Sequence, residues 1–491
     1  MPAKVRDEPS WDAVATDGAA TDPTIDGALA AARRAPALLL AWSPESAASV
    51  DRMRLGGRLR VGRSHSATWT VADSRLSKLH FEIEGAKPAI RDLLSTNGTF
   101  VNGRRLGGPR PLADGDVVRA GRCAFVFVAA AGDVFPATRA DARIHGLAGR
   151  FHSPAMVAAV ERAVRTNRHL LVEGESGVGK ELVARAVHRI ACPRGPFVAH
   201  NCARFASVEE AETTIFGVAR GVFSGVDARP GLIEQADGGV LYLDEILNLP
   251  VRLQRSLLRF AEDGQFARIG ETRSRPARVR LLFGSNQAVD DAVAEGTLAH
   301  DLVARTHRLA VPPLSRRRAD IPDIFLAALG RAFERAGIGE SEWRECVTAD
   351  YLEALMLHDL SKGNVRMLED FAATAAAGVS EVEPDERRVE FARSMVEFLP
   401  ESPVLARYAS GDGRSEVPEF RRGSPYEIHR EAIIKAYRDL GGSLSAVESE
   451  LRSRGIVVHR RWLSEYLERW GIRHRRRKGP GGIRDSWRER E

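Results

Sequence analysis

The sequence predicts three modules in series: an all-β sandwich, an α/β nucleotide-binding fold and a small all-α unit. Short alternating apolar runs separated by Asn-Gly turns fill the first part of the chain. A glycine-rich loop set between a strand pattern and a helix pattern marks the second part. Three helical patterns running into a string of arginines mark the third. The length of 491 residues agrees, since it corresponds to about three domains.

Residues 1–35 are polar and rich in Ala, Asp and Thr, a composition that predicts disorder. The first module is expected over 36–130. Its runs at Arg58–Val61, Trp69–Val71, His80–Ile83, Ala89–Asp92 and Cys123–Val128 have the length and alternation of strands. Asn97-Gly98 and Asn102-Gly103 are strong turn signals, because both residue types tolerate positive φ. Many short strands with frequent turns make a sandwich. A linker is expected over 131–145.

The second module, 146–400, is read from phosphate chemistry. Leu170-Leu171-Val172 is a buried-strand pattern and Glu181 to Ile190 is helical. Between them lies Gly174-Glu175-Ser176-Gly177-Val178-Gly179-Lys180. Glycines let backbone N–H groups converge on phosphate oxygens, the helix N-terminus adds partial positive charge, and Lys180 adds a point charge. The loop alone is a weak signal, because Gly-Val-Gly also occurs in ordinary turns and Glu181 stands where Ser or Thr would reach Mg²⁺. A second element supports it. The apolar run Gly239-Val240-Leu241-Tyr242-Leu243 ends in Asp244-Glu245. Asp244 is the expected Mg²⁺ ligand and Glu245 the expected base for a water. An exposed strand end that happens to carry two acids is the blander reading. Between these elements, Gly221-Val222-Phe223-Ser224-Gly225-Val226 is a glycine-bounded aromatic hexapeptide, and an exposed Phe on such a tip points to a binding partner.

Residues 401–424 read as a polar linker, 425–475 as the all-α module and 476–491 as a basic tail. Helices are predicted at Tyr426–Leu440, Ser445–Ser453 and His459–Trp470, with Leu463, Leu467 and Trp470 as the packing face of the third. The net charge of +6 is modest, but its excess gathers at His474-Arg475-Arg476-Arg477-Lys478, which points to nucleic acid. Apolar content of 44% suffices for buried cores, and no apolar run approaches the roughly 20 residues that a membrane helix needs. The first residues lack the apolar stretch of a secretory signal. Four scattered cysteines (Cys123, Cys192, Cys202, Cys346) have neither metal spacing nor a disulfide framework. A cytoplasmic protein without membrane partners is therefore expected.

From about Gly146 to Ala377 the chain resembles the AAA+ domain of bacterial sigma-54-dependent activators, a P-loop ATPase with a helical lid. The matches follow the family's order: Phe197-Val198-Ala199-His200-Asn201-Cys202, Ile215-Phe216-Gly217, Leu257-Leu258-Arg259-Phe260, Val279-Arg280-Leu281 to Ser285-Asn286, Pro312-Pro313-Leu314-Ser315-Arg316-Arg317-Arg318 to Asp320-Ile321, and Gly363-Asn364-Val365-Arg366. Glu181 is usual in that family's phosphate loop. The resemblance implies ATP held by Gly174 to Glu181 with Asn286 in the first sensor strand and Arg366 as the second sensor. It implies Mg²⁺ on Asp244, catalysis by Glu245 restrained by Asn201, and Arg305 reaching the neighbouring subunit's nucleotide in a ring, expected to be hexameric. Two departures stand out. Ala299 occupies the position of the first of two trans-acting arginines, leaving Arg305, with His300 and Arg308 nearby. One such arginine is worth roughly 10³–10⁵ in rate. The family's sigma-54 contact loop reads Gly-Ala-Phe-Thr-Gly-Ala, against Gly221, Val222, Phe223, Ser224, Gly225 and Val226 here.

The first module resembles a forkhead-associated (FHA) domain through Gly62-Arg63, Ser77-Lys78-Leu79-His80 and Ser95-Thr96-Asn97-Gly98-Thr99-Phe100-Val101-Asn102-Gly103. The resemblance implies phosphothreonine recognition by Arg63, Ser77, Lys78, Thr96 and Asn97, with His80 as a buried prop for the Ser77 loop. The third module resembles, more weakly, the Fis-type helix-turn-helix of the same activators. Arg460, Arg461, Ser464 and Glu465 are then candidates for the major groove, and Arg475, Arg476 and Arg477 for phosphates. The combined reading is an ATP-dependent activator that binds enhancer DNA, senses phosphothreonine and remodels sigma-54 RNA polymerase holoenzyme. The alternative is a phosphopeptide- and DNA-binding regulator whose ring is a nucleotide-gated scaffold with little turnover or no sigma-54 contact.

Overall fold

The computed structural model describes residues 35–44, 51–84, 87–130, 143–166, 168–222, 227–406, 430–440 and 443–453, together with 463, 467 and 470. The expectations for residues 1–34, for Phe223 to Val226 of the hexapeptide, for 407–429 and for 471–491 lie outside the described residues. Two compact units appear, 1–413 and 414–491.

The first unit begins with the sandwich. Its strands are β1 (Ala37–Trp42), β2 (Arg52–Arg54), β3 (Leu59–Gly62), β4 (Trp69–Thr70), β5 (Phe81–Glu84), β6 (Ala89–Asp92), β7 (Thr99–Val101), β8 (Arg104–Arg105), β9 (Arg110–Pro111), β10 (Val117–Ala120) and β11 (Cys123–Val128). They form a six-stranded sheet in the order β2-β1-β11-β10-β7-β8 and a five-stranded sheet in the order β4-β3-β5-β6-β9. Asn102 (φ +50°) and Gly103 (φ +75°) make the tight turn between β7 and β8, as their residue types require. Between the sheets, Trp69 and Phe81 each meet Phe125 edge-on with ring centroids 5.6 Å apart.

The β1, β10 and β11 strands of the six-stranded sheet are buried on both faces. Leu38, Leu40, Phe125 and Phe127 fill the sandwich, while Ala37, Leu39, Ala41, Val117, Ala124 and Val126 belong to the core of a helical subdomain further along the chain. Strict alternation along β1 and β11 assigns successive residues to the two cores.

A hairpin of β12 (Arg143–Ile144) and β13 (Leu147–Ala148) leads into α1 (Ser153–Arg165) and the central α/β fold. There follow β14 (His169–Glu173), α2 (Lys180–Ala191), β15 (Phe197–Asn201), α3 (Val208–Phe216), β16 (Gly217–Val218), β17 (Arg229–Pro230), α4 (Leu232–Gln235), β18 (Val240–Asp244), α5 (Val251–Asp263), β19 (Gln265–Phe266), β20 (Arg275–Pro276), β21 (Arg280–Ser285), α6 (Val289–Ala294), α7 (His300–Arg305) and β22 (Thr306–Ala310). The main sheet is wholly parallel in the order β15-β18-β21-β14-β22. Its strands are near-continuous apolar runs because both faces are covered. Asn286 was expected within a strand, but β21 ends at Ser285 and Asn286 is the first residue beyond it.

Five helices make the lid: α8 (Ile321–Arg335), α9 (Glu340–Arg344), α10 (Ala349–Leu357), α11 (Asn364–Ser380) and α12 (Arg387–Phe398). Phe371 anchors it, stacking on Phe325 at 5.6 Å and Phe398 at 4.4 Å.

The second unit contains α13 (Arg430–Asp439) and α14 (Leu444–Ser453). Ile433, Tyr437, Val447 and Leu451 form its core with Leu463, Leu467 and Trp470, the three residues expected on the packing face of the third helix. Arg460, Arg461, Ser464, Glu465 and Arg475 to Arg477 lie outside the described residues. No helix among the described residues is long and apolar enough to cross a membrane.

Phe125 is fully buried and meets both Trp69 and Phe81. Phe125→Ala should cost about 3–5 kcal/mol, measurable by urea unfolding followed by far-ultraviolet circular dichroism.

Candidate functional site

Parallel pairing fixes the site. Asn201 is in register with Asp244, and Glu173 with Ser285, so the carboxyl ends of four strands form one edge of the sheet. In open α/β folds that edge is where ligands bind. The turn from Glu173 into α2 occupies its centre. Gly177 (φ +75°) and Gly179 (φ +100°) adopt the left-handed conformations that bring backbone amides inward. Lys180 opens α2 and is buried. Its Nζ donates to the carbonyls of Gly174 (2.8 Å) and Glu175 (3.1 Å). Burial lowers the pKa of this ammonium, while the Asp244 and Glu245 carboxylates oppose the shift.

Beside it, the Asp244 Oδ1 accepts from the Tyr242 hydroxyl (2.9 Å) and from the Glu245 amide (3.0 Å). There is no space for a side chain at position 284, where a Cβ would lie 2.2 Å from Asp244 Oδ1 and 2.5 Å from the Tyr242 hydroxyl. Glu245 has φ +53°, which is unusual for a residue with a side chain and turns its carboxylate off the strand line. Asn201 Nδ2 donates to Glu245 Oε1 at 3.3 Å, while the same side chain's oxygen caps Ala203 N at 2.8 Å. Asn248 Nδ2 donates to Glu245 Oε2, also at 3.3 Å. The sequence reading named Asn201 but missed Asn248, whose signal was only its spacing of three after Glu245. Cys202 lies close by, but burial pushes its thiol up to about 12, so it is an inert core residue.

The lid closes the other side of the loop. Asn364, buried at φ +48°, donates to Glu175 Oε2 (3.1 Å) and the Ser176 carbonyl (3.2 Å), and its own oxygen accepts from Leu314 N (3.0 Å). The Val365 amide donates to the Gly177 carbonyl at 2.9 Å. A Cβ at Gly177 would lie 2.1 Å from the Gly363 carbonyl and 3.4 Å from the Arg366 Cβ, so Arg366 starts its helix against the loop. The buried Arg317 donates to the Val178 carbonyl (2.7 Å), and its Nε finds no partner among the described residues. The sequence reading gave Asn364 and Arg317 no role of their own, because their partners in the phosphate loop, Glu175, Ser176 and Val178, are more than a hundred residues away.

Other expected residues sit further out. Glu181 Oε1 is engaged by Arg185 (2.6 Å), one turn along α2. Asn286 is exposed at the strand edge. Arg305 forms an ion pair with Glu262 of its own chain, Ala299 is buried, and Arg308 pairs with Asp290 (2.9 Å) and Glu173 (3.3 Å). Gly221 and Val222 end the described part of the hexapeptide. Val222 lies against Gly270, where a Cβ would come within 2.1 Å of its Cγ2. Among the described residues no group of three or more His, Cys, Asp or Glu is arranged to hold a metal ion.

A second site lies at one end of the sandwich. His80 is buried and neutral, its pKa lowered by burial. It accepts from Ser77 N through Nδ1 (3.0 Å), and its Nε2 meets the Gly98 carbonyl (3.1 Å). This props the Ser77 loop against the Asn97-Gly98 turn, as the sequence suggested. Thr96 N donates to Ser77 Oγ (3.0 Å), Asn97 Nδ2 donates to the Arg75 carbonyl (2.6 Å), and Arg63 N donates to the Ser77 carbonyl (3.0 Å). Arg63, Lys78, Thr96 and Asn97 are exposed around the half-buried Ser77, making a convergent set of one guanidinium, one ammonium, hydroxyls and an amide.

The geometry defines a P-loop nucleotide fold fused to a sandwich with a polar, cationic loop cluster. Comparison with known proteins specifies both: residues 150–312 match the sigma-54 interaction domain family and residues 59–121 the FHA domain family, so the chain carries one domain of each. The chain is 34% identical over 298 residues to a Nif-specific regulatory protein of Azotobacter vinelandii, covering 59% of this chain and 53% of the relative. It is 34% identical over 297 residues to the DNA-binding transcriptional regulator NtrC of Escherichia coli strain K12, covering 58% and 62%. The chain thus spans about half the length of the curated relatives it matches. Among solved structures, NtrX from Brucella abortus in complex with ATP aligns with a TM-score of 0.43 and 28% identity over 68% of this chain and 71% of that one.

Gly284→Ala should destabilise the central fold by about 1–3 kcal/mol through overpacking against Asp244 and Tyr242. Gly296→Ala meets no atom within 4 Å. Its only cost is the positive φ, so its thermal shift should be the smaller of the two.

Proposed function

We propose that the chain is an ATP-dependent transcriptional activator that remodels sigma-54 RNA polymerase holoenzyme while bound to enhancer DNA, under the control of phosphothreonine signals. The observation that carries the reading is the edge on which Lys180, Asp244, Glu245 and Asn201 converge. The residues fit MgATP. The amides of the 174–180 loop and Lys180 would hold the phosphates. Asp244 is the single carboxylate that Mg²⁺ commonly takes when phosphate oxygens and water complete its shell. Bound there, the metal would neutralise charge on the outer phosphates.

Glu245 orients and deprotonates the attacking water. Asn201 and Asn248 hold its carboxylate in the ground state, so hydrolysis requires that grip to loosen. Arg366 supplies positive charge from the lid, and Asn286 senses the outer phosphate at the end of β21. Arg305 acts across the subunit boundary of a ring, proposed to be a hexamer, once it leaves Glu262. Motion of the ring is delivered to sigma-54 by the loop of Gly221, Val222, Phe223, Ser224, Gly225 and Val226. Arg63, Ser77, Lys78, Thr96 and Asn97 receive a phosphothreonine, whose charge and three acceptor oxygens suit this donor set. The second unit binds DNA, with Arg460, Arg461, Ser464 and Glu465 toward the major groove and Arg475, Arg476 and Arg477 on phosphates.

A second reading is favoured by one observation. Ala299, at the first trans-arginine position, is 3% exposed and carries no charge, so the ring retains a single such arginine. The ring would then be a nucleotide-gated scaffold with little turnover. Steady-state ATPase activity measured beside nucleotide-dependent sigma-54 binding separates the two.

Lys180→Ala should abolish nucleotide binding, whereas Glu245→Ala should bind nucleotide normally and lose turnover. Equal ATPase rates for wild type and Glu245→Ala would remove the catalytic assignment. At the sandwich, Arg63→Ala and Ser77→Ala should each weaken binding to phosphothreonine peptides by about tenfold or more, as loss of a hydrogen bond to a charged group implies. Binding that ignores phosphorylation would leave the module a plain docking domain.

A further inference from the structure

The polar contacts between sandwich and lid are concentrated where β7 turns into β8. Glu353, on α10 of the lid, is completely buried and accepts from the Gly103 amide (2.9 Å) and from Arg119 Nε on β10 (2.6 Å). Asp350, one turn earlier, lies 3.1 Å from the same Nε. The Arg119 guanidinium lies 4.0 Å from the centre of the Phe100 ring on β7. Gly103 admits no side chain, since a Cβ would lie 2.8 Å from Val404 Cγ2 beyond α12. Around this polar centre the apolar face of β1, β10 and β11 shares a core with α8 to α12.

Two chain connections make the position informative. On the sandwich side, β7 is three residues long, about 10 Å, and joins the Ser95–Gly98 loop directly to the Asn102-Gly103 turn that Glu353 holds. On the lid side, α10 and α11 are packed in one core, and the first residues of α11 are those that bind the loop of Gly174 to Lys180. The lid therefore touches both ligand sites within one or two elements.

We propose that this buried seam is an interaction surface through which the two sites are energetically coupled, with Arg119, Glu353 and Gly103 as positioning residues. A peptide that reorders the Ser95–Gly98 loop shifts β7 and the turn on Glu353, and with it the pose of the lid over the nucleotide loop. The inference rests on the assignment of the two sites made above. Coupling of this kind is reciprocal, so nucleotide must alter peptide affinity by the same factor that peptide alters nucleotide affinity.

The test uses the full chain, beads carrying a degenerate phosphothreonine peptide pool, and ADP. In wild type, saturating ADP should change half-saturation on the beads by about 5-fold or more. Glu353→Gln and Gly103→Ala approach the seam from opposite sides and touch neither site. In both, each ligand should still bind alone while the factor falls toward one. Mutual indifference of the two ligands in wild type, or an undiminished factor in both variants, would overturn the proposal. If no phosphothreonine peptide is retained, or no ADP binds, the site assignments fail first. Hydrogen exchange then decides the seam by itself: faster exchange of the Val365 and Gly177–Lys180 amides in both variants supports it, and unchanged exchange in both refutes it.

Discussion

The lid is the piece on which the first unit depends, because one apolar core stabilises three things together. Its helices bury Phe325, Phe371 and Phe391, cover the outer face of β1, β10 and β11 and present Asn364 and Val365 to the phosphate loop. An antiparallel sheet normally leaves one face to water. Here that second face reads Ala37, Leu39, Ala41, Val117, Ala124 and Val126, small and branched residues that allow close approach of helices. Arg119 and Glu353 interrupt it. Such a buried pair commonly adds little net stability over apolar side chains of similar volume, so the apolar residues around it carry most of the packing energy.

The nucleotide edge depends on a different constraint, the in-register ends of parallel strands. Asp244 is fixed by Tyr242 below and by the absence of a side chain at Gly284, which leaves it one orientation. Glu245 cannot share that orientation, and its positive φ turns it toward Asn201 and Asn248. Adjacent carboxylates thereby acquire different surroundings through backbone geometry. Lys180 is already desolvated and bonded to two carbonyls of its own loop. A phosphate would therefore replace existing partners of a buried cation, and the site is preorganised for charge.

Much of this was legible in the sequence because it is local. The strand before Gly174, the helix from Lys180 and the strand ending at Asp244 follow from apolar runs and glycine placement. The turn at Asn102-Gly103 follows from residues that accept positive φ. His80 was readable as a prop because its spacing from Ser77 matched a family pattern. What escaped was tertiary. The pairing of Asn364 with Glu175 spans nearly two hundred residues, and nothing near Asn364 announces it. The double burial of β1 was present in Ala37-Leu38-Leu39-Leu40-Ala41, an unbroken apolar run where a one-faced strand would alternate. Reading that run as a covered outer strand would have predicted a partner for the sheet, though not which helices supply it. Asn286 was misplaced by one residue because strand ends depend on pairing, and β21 loses its neighbour after Ser285.

If Arg305 acts in trans as proposed, its ties within its own chain decide how easily it is released. Arg305 is more than half exposed, and its partner Glu262 is about a third exposed. Exposed ion pairs of this kind contribute about 0–1 kcal/mol, so exchange of Glu262 for a more negative partner is readily favoured. In the proposed ring, the terminal phosphate of a neighbouring subunit's nucleotide would be such a partner. Ala299 cannot take part, since it is buried beneath the turn that begins α7 and its amide is held by Gln254. That same bond fixes the start of the helix carrying Arg305. The helix carrying Arg305 is therefore rigidly mounted, while position 299 offers no charge. The Arg305 guanidinium is exposed beside an exposed carboxylate, which suits the role proposed for it in trans.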